Sequence, residues 1–210
     1  MLFDDSYHTI AGFCTAEFRE RGSRFIGMAW PVTSEPEVKS LLQATRKAHP
    51  QANHACYAFR LTTDPTVFRC SDDREPSGSA GKPILAAIQS KGVTDTLVVV
   101  VRYFGGTLLG VPGLINAYRT AAADALKEAI ITEKWIVQSY IITFTYDLTS
   151  AVHQLLHGMK AAITTQAFGE PCTIRFDIRL HQAEKMEELH RQHPVLAHRS
   201  QLEKTTHASS

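Results

Sequence analysis

The sequence predicts an α+β protein with two domains, and three patterns lead to that prediction. Leu97 to Val101 is an unbroken run of branched apolar residues, which is typical of a strand covered on both faces. A glycine-containing loop and an alanine-rich helix follow this strand directly. After Thr132 the pattern changes to a strand, a helix, two strands and a helix, with a weak last strand near 196–202.

The change of pattern near Thr132 sets the predicted domain boundaries. We expect an α/β two-layer domain over residues 1–134 and a ferredoxin-like split-βαβ domain over residues 135–205. Residues 206–210 are predicted to form a frayed tail. A chain of 210 residues, of which 44% are hydrophobic, can form one large core or two smaller ones.

The charge balance argues against a protein that coats nucleic acid. Lys and Arg together number 22, and Asp and Glu number 21, so any contact with nucleic acid must be local. No apolar stretch approaches the roughly 20 residues of a membrane span. The start of the chain, with Asp4 and Asp5, lacks the pattern of a signal peptide. We therefore expect a cytoplasmic protein with no membrane partner.

Cysteine and histidine spacing predicts neither a disulfide framework nor a metal site. The cysteines are scattered without a CxxC pair, at Cys14, Cys56, Cys70 and Cys172. His153 and His157 lie four residues apart on a predicted helix, but such a pair is more often solvated than metal-bound. No metal and no cofactor are predicted.

The first domain begins with strand and helix signals in a regular order. Residues 20–23 are predicted to form a hairpin turn that leads into a strand over 24–32. Ser34 and Glu37 have the spacing of a capping box, which predicts a surface helix that ends before Pro50.

The next predicted strand, residues 53–62, alternates between two kinds of face. One face is aromatic and is expected to lie in the core; it consists of Tyr57, Phe59 and Leu61. The opposite face carries a histidine, a thiol and a guanidinium; it consists of His54, Cys56, Ala58 and Arg60. We interpret this second face as either a functional surface or the water-exposed side of a strand.

Two glycine loops follow, and each leads into a helix. After a short strand at 67–71, the first loop spans 71–83, and Pro83 suits the first turn of a helix. The second loop contains Gly105, Gly106, Gly110 and Gly113, and Pro112 suits the start of the next helix. Backbone N–H groups at such a helix start favour an anion, although tight packing of helix on strand also requires glycine.

Neither loop has the residues of a standard metal or nucleotide site. Carboxylates in a turn usually accept backbone hydrogen bonds, so we favour capping over Mg²⁺ binding for Asp72, Asp73 and Glu75. The second loop has Val111 and Pro112 where a Walker loop requires lysine and a hydroxyl residue. No GxGxxG occurs, which excludes the dinucleotide fingerprint.

Four stretches of the first domain stand out together: EFRERGSRFIG, HACYAFRL, SDDREPSGSAGKPIL and VVRYFGGTLLGVPGLINAY. In this order and at these separations they closely resemble the YigZ/IMPACT family of small cytosolic proteins. The resemblance implies a first domain like the second domain of a small-subunit ribosomal protein and the fourth domain of elongation factor G. It also implies a second domain like the last domain of that factor. A role near the translation apparatus is implied too, because the eukaryotic relatives act as translational regulators.

Nine positions match the family pattern, and the resemblance implies that they contribute to binding: Arg24, His54, Asp72, Asp73, Glu75, Arg102, Gly105, Gly106 and Tyr118. The sequence departs from the pattern at three positions. Arg74 stands where glycine is common, Leu108 where lysine is frequent, and Pro112 where glycine is typical. Without that lysine, Arg102 is the nearest positive charge to the second loop.

We therefore predict a non-catalytic, translation-associated regulatory factor that binds RNA, a ribosomal surface or a ribosome-associated protein. The predicted binding face lies beside the two glycine loops and combines Arg24, His54, Arg60 and Arg102. Two alternatives remain: a small-molecule phosphoryl-transfer enzyme, and a protein–protein adaptor that does not bind nucleic acid. Arg102 itself either presents its donors to a ligand or pairs with an acid of the first loop.

Overall fold

A computed structural model describes residues 5–61 and 67–205, which divide into two compact units. The amino-terminal unit comprises residues 7–134, and the carboxy-terminal unit comprises residues 5–6 and 135–205. Each unit has a hydrophobic core of its own. Within the described residues, no helix has both the length and the hydropathy that crossing a membrane requires.

The elements from Ser6 to Trp135 form a mixed α/β arrangement with antiparallel strand pairs. They are β1 (Ser6–Ile10), β2 (Cys14–Glu20), β3 (Ser23–Pro31), α1 (Glu35–Ala48), β4 (His54–Arg60), β5 (Phe68–Ser71), α2 (Gly81–Lys91), β6 (Thr96–Tyr103), α3 (Gly110–Lys127) and β7 (Ile131–Trp135). The main sheet has the order β2-β3-β6-β4-β5, and β1 pairs with β7 in a separate ribbon. Neighbouring strands of the main sheet are antiparallel.

Strand β6 lies at the centre of the main sheet, as its apolar run predicts. Residues 97–101 are fully buried because helices cover both faces of the strand. Val98 and Val100 pack in the cluster that contains α2 and α3, whereas Leu97, Val99 and Val101 pack in the cluster that contains Val38 of α1. The prediction of a two-layer domain is therefore wrong, since the sheet lies between two helical layers.

The same arrangement corrects the interpretation of β4. The period of two is confirmed, but the face that carries the thiol is not open to water. Cys56 and Ala58 are fully buried beneath α2 and α3, while Phe59 packs in the cluster on the α1 face. A strand with small apolar residues on one side and aromatic residues on the other can be covered on both sides.

Local signals in the sequence specify the hairpin turn between β2 and β3 and the start of helix α1. Arg21 and Gly22 both have positive φ, 44° and 81°, which is the type I′ geometry of a two-residue hairpin. The backbone N–H of Glu37 donates to Oγ of Ser34 over 3.5 Å, so the capping prediction for α1 is confirmed.

The carboxy-terminal unit has the βαββα order that the sequence predicts, followed by a last strand. Its elements are β8 (Val137–Phe144), α4 (Thr149–Gly158), β9 (Ala162–Ala167), β10 (Cys172–Arg179), α5 (Ala183–Gln192), α6 (Leu196–Arg199) and β11 (Ser200–Thr205). The sheet has the order β11-β8-β10-β9, with antiparallel neighbours throughout. Helix α4 ends at Gly158, and Lys160, which takes a φ of 53°, turns the chain into β9.

We expect the amino-terminal unit to fold without the carboxy-terminal one. Both of its core clusters draw only on residues between 10 and 129. A chain that ends at Ile136 retains every strand of the two sheets of this unit. It should therefore unfold in one cooperative thermal transition, measured by circular dichroism beside the full chain. A broad, non-cooperative transition would show that the unit depends on residues beyond Ile136.

Candidate binding site

The two glycine loops meet at one end of the main sheet, which we call the loop end. The register of the strands brings them together, because His54 at the start of β4 lies opposite Arg102 near the end of β6. The hairpin tip at Gly22 reaches the same place, as Ser23 accepts a hydrogen bond from the backbone of Gly105 over 3.2 Å. Most of the predicted site residues are thus neighbours in the fold.

Glu75 is the centre of a buried polar network at the loop end. Its side chain is 4% exposed, and Nη1 of Arg102 and the hydroxyl of Tyr118 each donate to its Oε1 atom over 2.7 Å. Nε2 of His54 lies 3.7 Å from the same oxygen. These partners come from β6, α3 and β4, so one carboxylate ties together the three elements around the loops.

The buried position fixes the protonation of the groups around Glu75. Burial, with Cys56 and Glu75 as neighbours, raises the pKa of Tyr118 far above its ordinary value, so the phenol remains a donor. Burial also raises the pKa of the Cys56 thiol to about 12. That thiol donates to the backbone oxygen of Asp72 over 3.1 Å. The role of Cys56 depends on the packing of β4 against the first loop, which the sequence pattern does not show.

Arg102 takes the second of its two predicted roles, that of an ion-pair partner within the fold. Its side chain is 6% exposed, and its guanidinium lies 5.5 Å from the ring centre of Phe25 and 5.4 Å from that of Phe104. A guanidinium between two rings gains from the attraction of the charge to the aromatic faces. Because the guanidinium is buried and paired with Glu75, it faces the interior of the protein and is not presented to a ligand in solvent.

Asp72 caps the backbone of its own loop. Its two carboxylate oxygens accept three N–H groups, from Gly78 over 2.8 Å, Ala80 over 3.0 Å and Gly81 over 2.8 Å. Burial alone would raise the pKa of Asp72, but these bonds hold it below its ordinary value. The favoured prediction that these acids accept backbone hydrogen bonds is therefore confirmed for Asp72, whereas Glu75 accepts from side chains instead. Among the residues that the structure describes, no cluster of His, Cys, Asp or Glu has the geometry of a metal site.

Asp73 joins the first loop to β4 and α1. Its carboxylate accepts the N–H of Ala55 over 2.7 Å and pairs with Nη2 of Arg46 over 2.9 Å. Its backbone oxygen lies 2.9 Å from Nδ1 of His54. The next residue, Arg74, has a φ of 71°, a conformation that glycine adopts freely. This backbone geometry explains why glycine is common at that position in the family that the sequence resembles.

The predicted glycines of the second loop serve close packing and backbone geometry. A Cβ atom on Gly105 would lie 1.9 Å from the carbonyl carbon of Gly22, so only glycine lets the loop and the hairpin touch. Gly106 has open space around it but a φ of 86°, which a residue with a side chain adopts only with strain. The N–H of Phe104 donates to Oδ1 of Asn53 over 2.8 Å, so it is not directed at a ligand.

The predicted cationic face is wrong for Arg24 and Arg60. Arg24 lies 5.7 Å from the ring centre of Tyr103, on the opposite face of the sheet from Arg102, and it pairs with Glu17 over 2.7 Å. Arg60 is six residues along β4 from His54, which is about 20 Å at the rise of a strand. Strand alternation and strand length therefore separate these guanidinium groups.

The second loop instead presents apolar side chains to water. The exposed fractions are 45% for Phe104, 81% for Leu108 and 46% for Val111. In the sequence, Leu108 stands out only as a missing lysine, and this apolar surface was not predicted. The sequence does contain a sign of this surface, since large apolar residues stand beside glycines in the loop and at the start of α3, where polar residues are usual.

We expect Arg102→Ala to lower the free energy of unfolding by about 3–5 kcal/mol, because it leaves the buried Glu75 carboxylate without its cation. Adding Glu75→Gln should recover part of that loss, since a neutral amide needs no counter-charge. Urea unfolding measures both variants. Arg24→Ala is the control and should change little, as its ion pair is exposed. If the losses in free energy of unfolding from the two single changes simply add in the double variant, Arg102 and Glu75 are not energetically coupled.

We expect Asp72→Asn to reduce stability at neutral pH by about 1–2 kcal/mol, because an amide accepts fewer N–H bonds. The pKa of Asp72 is lowered in the folded protein, so its contribution is present above the ordinary value of 3.8 and is lost as pH falls through the folded pKa. The difference between wild type and variant should therefore narrow as pH falls below that value. Urea unfolding at several pH values measures this difference in the free energy of unfolding. A difference that grows as pH falls would contradict the capping role of Asp72.

Comparison with known proteins agrees with the motifs at the loop end. The family model for the Impact N-terminal domain matches residues 21–126, which include both loops. "IMPACT family member in pol 5'region" of Thermus thermophilus is 38% identical over 160 residues, covering 75% of this chain and 84% of that protein. "IMPACT family member YigZ" of Escherichia coli is 36% identical over 136 residues, covering 64% and 67%.

A solved structure extends the likeness over nearly the whole chain. It is described as the crystal structure of a hypothetical protein, is 27% identical, and superposes with a TM-score of 0.73 over 97% of this chain and 98% of its own. The family model covers half of the sequence, and the Thermus relative aligns over most of its own length. The protein therefore belongs to the IMPACT family.

Proposed function

We propose that the protein is a non-catalytic, translation-associated regulatory factor of the cytoplasm that docks on a protein surface of the translation apparatus. The contact is made by residues 104–111, which are the second loop together with the first two residues of α3. One observation carries this proposal: the loop exposes Phe104, Leu108 and Val111 while the nearest guanidinium, that of Arg102, is buried in an ion pair. The association with translation rests on the family, whose eukaryotic relatives regulate translation.

A protein surface suits this loop better than RNA. Binding to nucleic acid depends on cations that neutralise phosphates, whereas the centres of protein interfaces are apolar and poor in charge. Leu108 takes the position of a frequent lysine, and it is the most exposed large apolar residue of the loop. The balanced net charge of +1 supplies no broad attraction to a nucleic acid.

The state of the acidic groups supports a non-catalytic role. Phosphoryl transfer requires carboxylates that hold Mg²⁺ and a cation that holds phosphates. Asp72 accepts three backbone N–H groups, and Glu75 accepts Arg102 and Tyr118. These interactions engage both carboxylate oxygens of Asp72 and the Oε1 atom of Glu75, so we rank the enzyme below the binding factor.

The family-matching residues of the loop end then have a positioning role. Glu75, Arg102 and Tyr118 hold β6 and α3 against the first loop, and Gly105 lets the second loop pack on the hairpin. Together they fix the conformation in which Phe104 and Leu108 face water. A preorganised loop loses less conformational entropy when it binds.

The fold names of the two units belong to the same proposal. The βαββαβ order with antiparallel strands in the order β11-β8-β10-β9 supports a ferredoxin-like carboxy-terminal domain. For the amino-terminal unit we keep the expected likeness to the fourth domain of elongation factor G. A domain boundary between residues 134 and 135 fits the division into compact units.

Whether Leu108→Lys decreases or increases the amount of captured partner distinguishes a protein partner from RNA. The full chain is used to capture partners from a bacterial lysate, with and without nuclease, and ribosomal proteins and translation factors are quantified by mass spectrometry. We expect captured translation proteins to survive nuclease and to fall about tenfold with Leu108→Lys, because a buried charge without a partner opposes binding. Leu180→Lys, at an exposed leucine of the carboxy-terminal unit, should leave capture unchanged.

Two other outcomes would overturn the proposal. Capture that increases with Leu108→Lys and disappears with nuclease would identify RNA as the partner, because added positive charge strengthens binding to phosphates. A rise in melting temperature with millimolar Mg-ATP would favour the phosphoryl-transfer enzyme instead.

A further inference from the structure

A groove runs between α2 and α3 of the amino-terminal unit, away from the loop end. Its volume is about 430 Å³, and its lining includes Ala86 and Ala87 of α2 and Ala123 and Leu126 of α3. Arg119 also lines it and lies nine residues into α3 from Gly110, which is about 14 Å along the helix axis. The groove is thus separate from the apolar loop described above.

The groove is bordered by positive charge. Lys91 and Arg119 both line it, and its lining contains neither Asp nor Glu. Helix α2 has no acidic residue at all, and α3 has one, Asp124. Among the described residues, neither Lys91 nor Arg119 forms an ion pair. Two cations therefore remain available to an acidic partner on either side of a methyl-lined floor.

We propose that this groove binds an amphipathic helix of a partner protein, whose apolar stripe is flanked by acidic residues. A third helix fits between two packed helices because its side-chain ridges enter their groove. The exposed alanines of the floor, Ala86 and Ala123, allow its backbone to approach closely and give its apolar side chains methyl groups to cover. Carboxylates beside the stripe then pair with Lys91 and Arg119, which sets the orientation of the helix.

Charge and shape argue against two other occupants. A second copy of the chain would bring the same cations together across a twofold axis, and like charges in an interface are unfavourable. RNA would gain two phosphate contacts, but the methyl groups of Ala86 and Ala123 offer it no hydrogen bond. An acidic amphipathic helix matches both the apolar floor of the groove and the positive charges at its borders.

A display library of helical peptides, each about 16 residues long and so longer than the 11-residue α2, tests the proposal directly. The library is selected on the full chain, and the enriched peptides are synthesised and measured by fluorescence anisotropy. We expect enriched sequences with apolar residues at i, i+3, i+4 and i+7 and acidic residues beside them. Their Kd should rise at least about tenfold with Arg119→Glu and with Ala123→Trp, which fills the groove.

The controls separate this site from the loop and from general charge. Lys39→Glu, an exposed charge reversal on α1, should leave the Kd within about twofold, as should Leu108→Lys in the loop. Circular dichroism of each variant verifies that the fold is retained. The proposal is overturned if nothing is enriched, if the enriched peptides lack acidic residues, or if Ala123→Trp leaves their binding intact. Binding of oligouridine that Arg119→Glu abolishes, without any peptide binding, would identify the face as an RNA site.

Discussion

The buried carboxylate of Glu75 is the constraint on which the loop end depends. A charge that is removed from water needs partners that restore the lost solvation, and here Arg102 and Tyr118 come from two different elements. Both elements must be in place before the carboxylate is satisfied. The arrangement of β6, α3 and the first loop is therefore specified by one polar contact as well as by apolar packing.

At the second loop, the charged residue is buried and the apolar residues are exposed, which is the opposite of the usual arrangement. The guanidinium of Arg102 turns inward to Glu75, and Phe104 lies over it with almost half of its surface still exposed. The charge thus supports the loop, and the loop presents its apolar residues. A residue type that suggests ligand binding in the sequence can serve the shape of a surface instead.

The amino-terminal unit carries two candidate surfaces with different physical chemistry. The loop offers a compact apolar contact held by the Glu75 network, whereas the α2–α3 groove combines an apolar floor with the charges of Lys91 and Arg119. One surface lies around the start of α3 and the other beyond its first turns, so the two are separate in the fold. A factor built in this way can engage two segments of one partner, or two partners at once.

The sequence by itself determined the local elements, their order along the chain, and the family. Those features depend on patterns over a few residues, such as the capping box at Ser34 and the apolar run that forms β6. The tertiary structure decided which side chains meet. Arg24, Arg60 and Arg102 were grouped by residue type, but strand alternation turns Arg24 to the other face and the length of β4 carries Arg60 away. The face on which a side chain lies, and its distance from side chains on other strands, depend on the register between strands that are far apart in sequence. A local sequence pattern contains no information about that register.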